Sequence, residues 1–214
     1  MLLGTKKIIQ TKSLRLITIT IAFTTFVLAS LNTFLVEFVK KDLELSTMDF
    51  GTTISIMGVS GVIAGIILTK KITKIKKPIN FMTICLLLLG IILIPFLIIN
   101  QSWELFLLFM FIGPFNVLIT IPLNIIFMRD TLDSYRGQAF SSLNLITSLF
   151  MIFGILYGVI LTPYIGLRYL FFYNAVLLIL IAIGSLIYLV FINNLDNLTQ
   201  TDLKNTTRPV TLPD

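Results

Sequence analysis

Six long apolar runs divide this 214-residue chain, and they constrain its fold more than any other feature. A helix that crosses a bilayer needs about 20 mostly apolar residues, and each run meets that length. Only 12% of the residues are charged, and they cluster between the runs, whereas soluble proteins carry about 25%. We therefore predict an all-α, polytopic membrane protein, with helices over residues 16–38, 50–68, 78–99, 103–128, 139–162 and 167–192.

A lysine-rich loop fixes the predicted orientation. Residues 69–77, between the second and third helices, contain five lysines and no acid. Short loops rich in lysine and arginine stay in the cytoplasm. Of the 16 lysines and arginines, all except Lys40, Lys41 and Arg168 fall on the side that holds both termini. We predict a multi-pass protein of the cell membrane, with cytoplasmic tails at residues 1–15 and 193–214, the second of them disordered.

Composition excludes several functional classes. The chain has no histidine and one cysteine, Cys85, so neither an internal disulfide nor a Cys/His metal site is possible. We expect no metal and no cofactor. The net charge of +6 follows from the loop lysines, so we expect no nucleic-acid partner. Gly58-Val59-Ser60-Gly61 resembles the nucleophile motif of intramembrane serine proteases, but those enzymes need a histidine base, so no enzyme is predicted.

Two loops carry a resemblance to a known family. Gly65 precedes the lysine loop, and Thr69 and Lys70 are the first two residues of that loop. The loop before the fifth helix contains Asp133, three residues before Arg136-Gly137. In register with six helices, these loops resemble the C-terminal six-helix half of a major facilitator superfamily transporter. In that family an Asp-Arg pair follows the glycine, so Thr69 takes the acid's place and Lys70 the arginine's.

The second loop also makes physical sense as the start of a helix. Asp133 suits a helix N-terminus, because its carboxylate favours the positive end of the helix dipole. Gly137 permits a close approach of two backbones. Arg136 is expected to cap backbone carbonyls or to pair with Asp130 or Asp133.

The resemblance implies a transport function. It is closest to the drug-efflux branch, including macrolide-efflux-like permeases, and implies a half-length, proton-coupled permease that works by alternating access. The implied partners are the lipid bilayer, a small-molecule substrate and a second six-helix half or a second copy of the chain. Two alternatives stay open: a non-functional truncated membrane fragment, and a six-helix transporter of another class that acts as a homodimer.

Polar side chains inside the apolar runs are the candidate substrate contacts. Buried amides and hydroxyls need hydrogen-bond partners in hydrocarbon. They either line a cavity that receives substrate or bond to neighbouring helices. Asn116, Thr120 and Asn124 recur every four residues and so share one helical face. The candidates are Asn32, Asn116, Thr120, Asn124, Asn144 and Ser148.

Glu37, near the end of the first helix, is the acid that we single out as a candidate inside a membrane span. Burial of its carboxyl group favours binding of a proton or of a cationic substrate. The alternative, which we favour, is an interfacial glutamate that pairs with Lys40 or Lys41.

Two pairs of glycines predict close helix packing. Gly61 and Gly65 lie four residues apart in the second helix, and Gly154 and Gly158 do so in the fifth. Such pairs let helix backbones approach each other closely in membranes.

Overall fold

A computed structural model describes residues 12–71, 78–131 and 135–206. It confirms the all-α fold with six helices long and apolar enough to cross a membrane. A π-helical turn, Phe38–Asp42, continues α1, and a 3₁₀ turn, Ile94–Leu97, continues α3. The six helices are α1 (Lys12–Glu37), α2 (Thr47–Lys71), α3 (Pro78–Leu93), α4 (Ser102–Asp130), α5 (Arg136–Ile165) and α6 (Leu167–Thr206).

The observed helices extend beyond several predicted ends. The largest difference is in α6, which continues to Thr206 instead of ending at Ile192. Extending a formed helix fixes one residue for each new hydrogen bond, so a helix continues easily into a polar segment that lacks proline or glycine. Residues 193–206 are therefore helical rather than disordered. The predicted tails at 1–11 and 207–214, and loop residues 72–77, lie outside the described residues.

The helices pack in a fixed lateral order. α2 packs on α4, α4 on α3, α3 on α6, α6 on α1, and α1 on α5. The helices α1, α2 and α3 have α4, α5 and α6 as their counterparts. If each helix is replaced by its counterpart, the contact between α1 and α5 becomes the contact between α4 and α2, and the contact between α1 and α6 becomes the contact between α4 and α3. This correspondence is what two repeats of three helices, inverted in the membrane, produce. It leaves α2 and α5 at the two flanks, each with one principal partner.

Glycines bring α5 against α1. A Cβ atom at Gly154 would lie 2.0 Å from the carbonyl oxygen of Phe26, and one at Gly158 would lie 2.4 Å from Cε2 of Phe34. Only glycine permits these distances. The close packing predicted from this pair of glycines is confirmed.

Glycines also bring α2 against α4. A Cβ atom at Gly61 would lie 3.3 Å from the carbonyl oxygen of Gly113, and one at Gly65 would lie 3.4 Å from Val117. The tightest position is Gly113, where a Cβ atom would lie 2.2 Å from the carbonyl oxygen of Met57. The predicted pair therefore contacts α4, and Gly113 supplies the closest approach.

Buried aromatic side chains and one arginine mark one end of the bundle. Phe38, Phe96 and Phe171 are buried together at one end, with the rings of Phe38 and Phe171 4.9 Å apart. Arg168 lies over the Phe38 ring, at 5.9 Å from its centroid. We call this the distal end. The opposite end, where Arg15 lies in α1, is called the terminal end.

Candidate substrate-facing surface

Three polar side chains follow one another along the middle of α4. Asn116 and Asn124 are half-buried and Thr120 is exposed. The Thr120 hydroxyl donates to the carbonyl of Asn116 at 2.7 Å, within its own helix. The i, i+4 spacing places these side chains along one stripe of α4. The predicted shared helical face is therefore present, and it is open to the surroundings at Thr120.

Asn32, which is exposed, and Asn116 line the same small cavity of about 40 Å³. Asn32 comes from α1 and Asn116 from α4, so the fold brings together two amides that lie far apart in the sequence. Aromatic and aliphatic side chains form the other walls. These are Leu28, Leu31, Leu35, Met57, Leu89, Leu93, Phe96, Phe109, Ile112 and Phe171.

A larger open cleft of about 450 Å³ lies between α2 and α4, with Asn116 in its wall. Gly58, Gly61 and Gly65 form much of the α2 side of the cleft. Because glycines have no side chains, the cleft stays wide while the backbones stay close. Asn116 thus lines both the central cavity and this cleft.

The remaining two candidates lie on α5. Asn144 and Ser148 are both exposed, one helical turn apart. With Asn32, Asn116, Thr120 and Asn124 they form the set that we call the polar face. It draws on α1, α4 and α5.

The outer surface of α3 has the opposite character. Its exposed side chains are all apolar, and they include Ile84, Leu88 and Ile91. A lipid-facing helix surface is expected to be apolar, because hydrocarbon supplies no hydrogen bonds. Among the described residues, the exposed polar side chains of the polar face therefore lie on helices other than α3.

The amides of the polar face lack internal partners. Among the residues that the structure describes, no hydrogen bond involves the side-chain amide of Asn32, Asn116, Asn124 or Asn144. A polar group in hydrocarbon without a hydrogen bond costs roughly 2–7 kcal/mol. Interhelical bonding, the alternative considered from the sequence, does not account for these four side chains. Water or substrate in a cavity would satisfy them.

Asn174 shows what an interhelical amide looks like in this protein, and sequence reasoning missed it. It is fully buried in α6, and its Nδ2 donates to the Ser30 hydroxyl of α1 at 3.3 Å. The signal was available, because Asn174 is an amide inside an apolar run, as Asn116 is. Its pairing depends on which side of α6 faces α1, which the sequence does not specify.

Glu37 lies apart from the polar face, near the distal end. Its carboxylate forms an ion pair with Lys41, and its side chain is 35% exposed. This is the interfacial pairing that we favoured from the sequence. Acids do not gather elsewhere either: over residues 12–71, 78–131 and 135–206, no group of three or more metal-ligating side chains occurs.

The residues of the two family-like loops differ in how far the structure matches their predicted roles. Lys70 is exposed at the end of α2. Arg136 donates from Nη2 to the carbonyl of Met128 at 3.1 Å, so it caps α4 as expected. A Cβ atom at Gly137 would meet nothing within 4 Å, so the predicted close backbone approach at this glycine is wrong. Asp133 lies outside the described residues.

Comparison with known proteins covers almost the entire chain. The sequence model described as Major Facilitator Superfamily matches residues 6–212. No curated protein and no solved structure matches the chain significantly.

Proposed function

This chain belongs to the major facilitator superfamily of membrane transporters, and we propose that it moves an amphipathic small molecule, with the polar face as the surface that contacts it. The observation that carries the proposal is the set of four unpartnered amides, two of which line one cavity. The donors and acceptors of these amides are available to a substrate that binds and dissociates.

The chemistry of the polar face suggests the substrate class. Its six side chains are amides and hydroxyls without charge, and aromatic walls such as Phe109 and Phe171 adjoin it. The cleft between α2 and α4, with Asn116 in its wall and a volume of about 450 Å³, has the size and the mainly apolar lining of a site for a drug-sized molecule. We infer a neutral or weakly charged amphipathic substrate. The resemblance to drug-efflux permeases supports export as the direction, with both termini cytoplasmic in the cell membrane.

We propose that a second six-helix bundle covers the polar face. In this architecture substrate binds near mid-membrane between two bundles that rock against each other. The flanking helices α2 and α5 each have one principal partner in this chain, which leaves both with surface for a second bundle. A second copy of the chain or a separate six-helix segment would fill that place.

Accumulation of a radiolabelled macrolide in a drug-sensitive host tests this function. Cells that express the chain are expected to hold less macrolide than cells that express the Asn116→Leu variant at equal membrane abundance. The mass of the purified protein in mild detergent then reports whether a second bundle is bound. Equal accumulation in both cell lines, together with a strictly monomeric chain, would reject the transporter proposal for this polypeptide.

Replacing Glu37 by glutamine is expected to change transport less than twofold. The carboxylate already pairs with Lys41 at an exposed position, and such a pair contributes about 0–1 kcal/mol. Macrolide export at several external pH values measures the effect, with Lys41→Gln as the matched control. Complete loss of export in Glu37→Gln, with export retained in Lys41→Gln, would instead assign Glu37 to proton coupling.

A further inference from the structure

A groove of about 370 Å³ runs between α1 and α6 at the terminal end. Its walls are mainly apolar, and Ile19 and Phe23 are 51% and 46% exposed along it. Gly184 opens the α6 side, because a Cβ atom there would meet nothing within 4 Å. The result is a mainly apolar groove that is open at the surface of the bundle.

The polar atoms in the floor of the groove are already paired. The hydroxyl groups of Thr20 and Ser185 hydrogen-bond to each other at 2.7 Å, and both residues are buried. Neither hydroxyl needs a ligand for satisfaction. The floor therefore suits a hydrocarbon chain better than a polar solute.

A cation stands at the mouth of the groove. Arg15 is exposed, and its Nη2 donates to the Tyr188 hydroxyl at 2.8 Å. A guanidinium carries five N–H donors, so this single contact leaves donors for a second ligand. Within the described residues, no carboxylate forms a salt bridge with Arg15.

The sequence around Arg15 strengthens the positive charge. Lys6, Lys7 and Lys12 precede Arg15, and no acid occurs before Glu37. Basic clusters next to a membrane helix attract anionic lipids, and basic pockets between helices bind their headgroups. The positive charge near Arg15 and the apolar walls of the groove thus both indicate a ligand with an anionic headgroup and a hydrocarbon chain.

We propose that this groove binds one anionic phospholipid, with an acyl chain against Ile19 and Phe23 and the phosphate on the guanidinium of Arg15. Arginine binds phosphate oxygens with paired, charge-assisted hydrogen bonds. Tyr188 holds the guanidinium at the headgroup level. The site is separate from the polar face, and its occupancy does not depend on the transported substrate.

Competition between two lipids tests the proposal on the purified full chain. Native mass spectrometry follows the protein with equimolar phosphatidylglycerol and phosphatidylcholine of identical acyl chains, at low ionic strength. Wild type is expected to retain phosphatidylglycerol about fivefold better, the preference that one interfacial cation supplies. Arg15→Gln should reduce the ratio to about one, and Arg15→Lys should keep most of it.

A second variant tests the groove without touching the charge. Gly184→Leu fills the open space and should reduce retention of both lipids, whereas Gly51→Leu, at a glycine that also has open space around it, should not. Elution volume and melting temperature show which variants are folded. If only one of Arg15→Gln and Gly184→Leu is folded, that variant alone tests the site. Equal retention of both lipids by wild type, or unchanged retention in both Arg15→Gln and Gly184→Leu, would overturn the proposal.

Discussion

Replacing Asn32 and Asn116 together by leucine is expected to weaken substrate affinity roughly 30-fold. Each amide supplies one hydrogen bond of about 1 kcal/mol, and 1.4 kcal/mol corresponds to about tenfold in affinity. The two side chains line one cavity, so their effects should combine on a single bound molecule. Macrolide binding to the purified protein, and export by intact cells, measure the loss.

The stability of the same double variant separates binding from folding. Because neither amide has a hydrogen-bond partner among the described residues, leucine should leave the melting temperature unchanged or raise it. Asn80→Leu, an amide at the start of α3 and away from the cavity, is the matched control and should export normally. A lower melting temperature with unchanged affinity would make Asn32 and Asn116 structural residues instead.

Replacing Gly154 by alanine is expected to lower the stability of the protein more than any other substitution that adds one methyl group to α5. The new Cβ atom would lie 2.0 Å from the carbonyl oxygen of Phe26, and backbone atoms cannot rotate away. Overpacking of this kind costs about 3 kcal/mol. In a chain of this size that corresponds to a fall in melting temperature of about 10 °C.

Gly51→Ala is the control for Gly154→Ala. A Cβ atom at Gly51 would meet nothing within 4 Å, so alanine should be neutral or slightly stabilising through its higher helix propensity. Thermal unfolding in one detergent compares the two variants. Equal melting temperatures for both would show that α1 and α5 do not approach as closely as the structure has them.

The sequence predicts helix ends well where they depend on local chemistry. Pro78 begins α3 as expected, because proline fits the first turn of a helix. Gly166, with a φ of 78°, separates α5 from α6, and α6 begins at the predicted Leu167. α6 runs on past Ile192 because nothing in the following polar segment breaks a helix.

The sequence predicts less about which side chains meet. The cavity residues Asn32 and Asn116 were found because each is a polar residue in an apolar run. Their shared cavity depends on how α1 and α4 turn toward each other, and the partners of Asn174 and Arg15 depend on the rotation of α6. Gly113 escaped notice because a single glycine carries no spacing signal, although it makes a very close helix contact.

Cysteine labelling in membranes tests most directly whether the polar face lines an aqueous cavity. In a Cys85→Ala background, Ser148→Cys and Thr120→Cys report on the polar face, and Leu88→Cys reports on the apolar surface of α3. All three positions are exposed and lie near the middle of their helices. A water-soluble maleimide reacts with the thiolate, which forms only where water reaches the sulfur. We predict labelling of Ser148→Cys and Thr120→Cys at least tenfold faster than of Leu88→Cys, whereas equally slow labelling at all three positions would contradict the account.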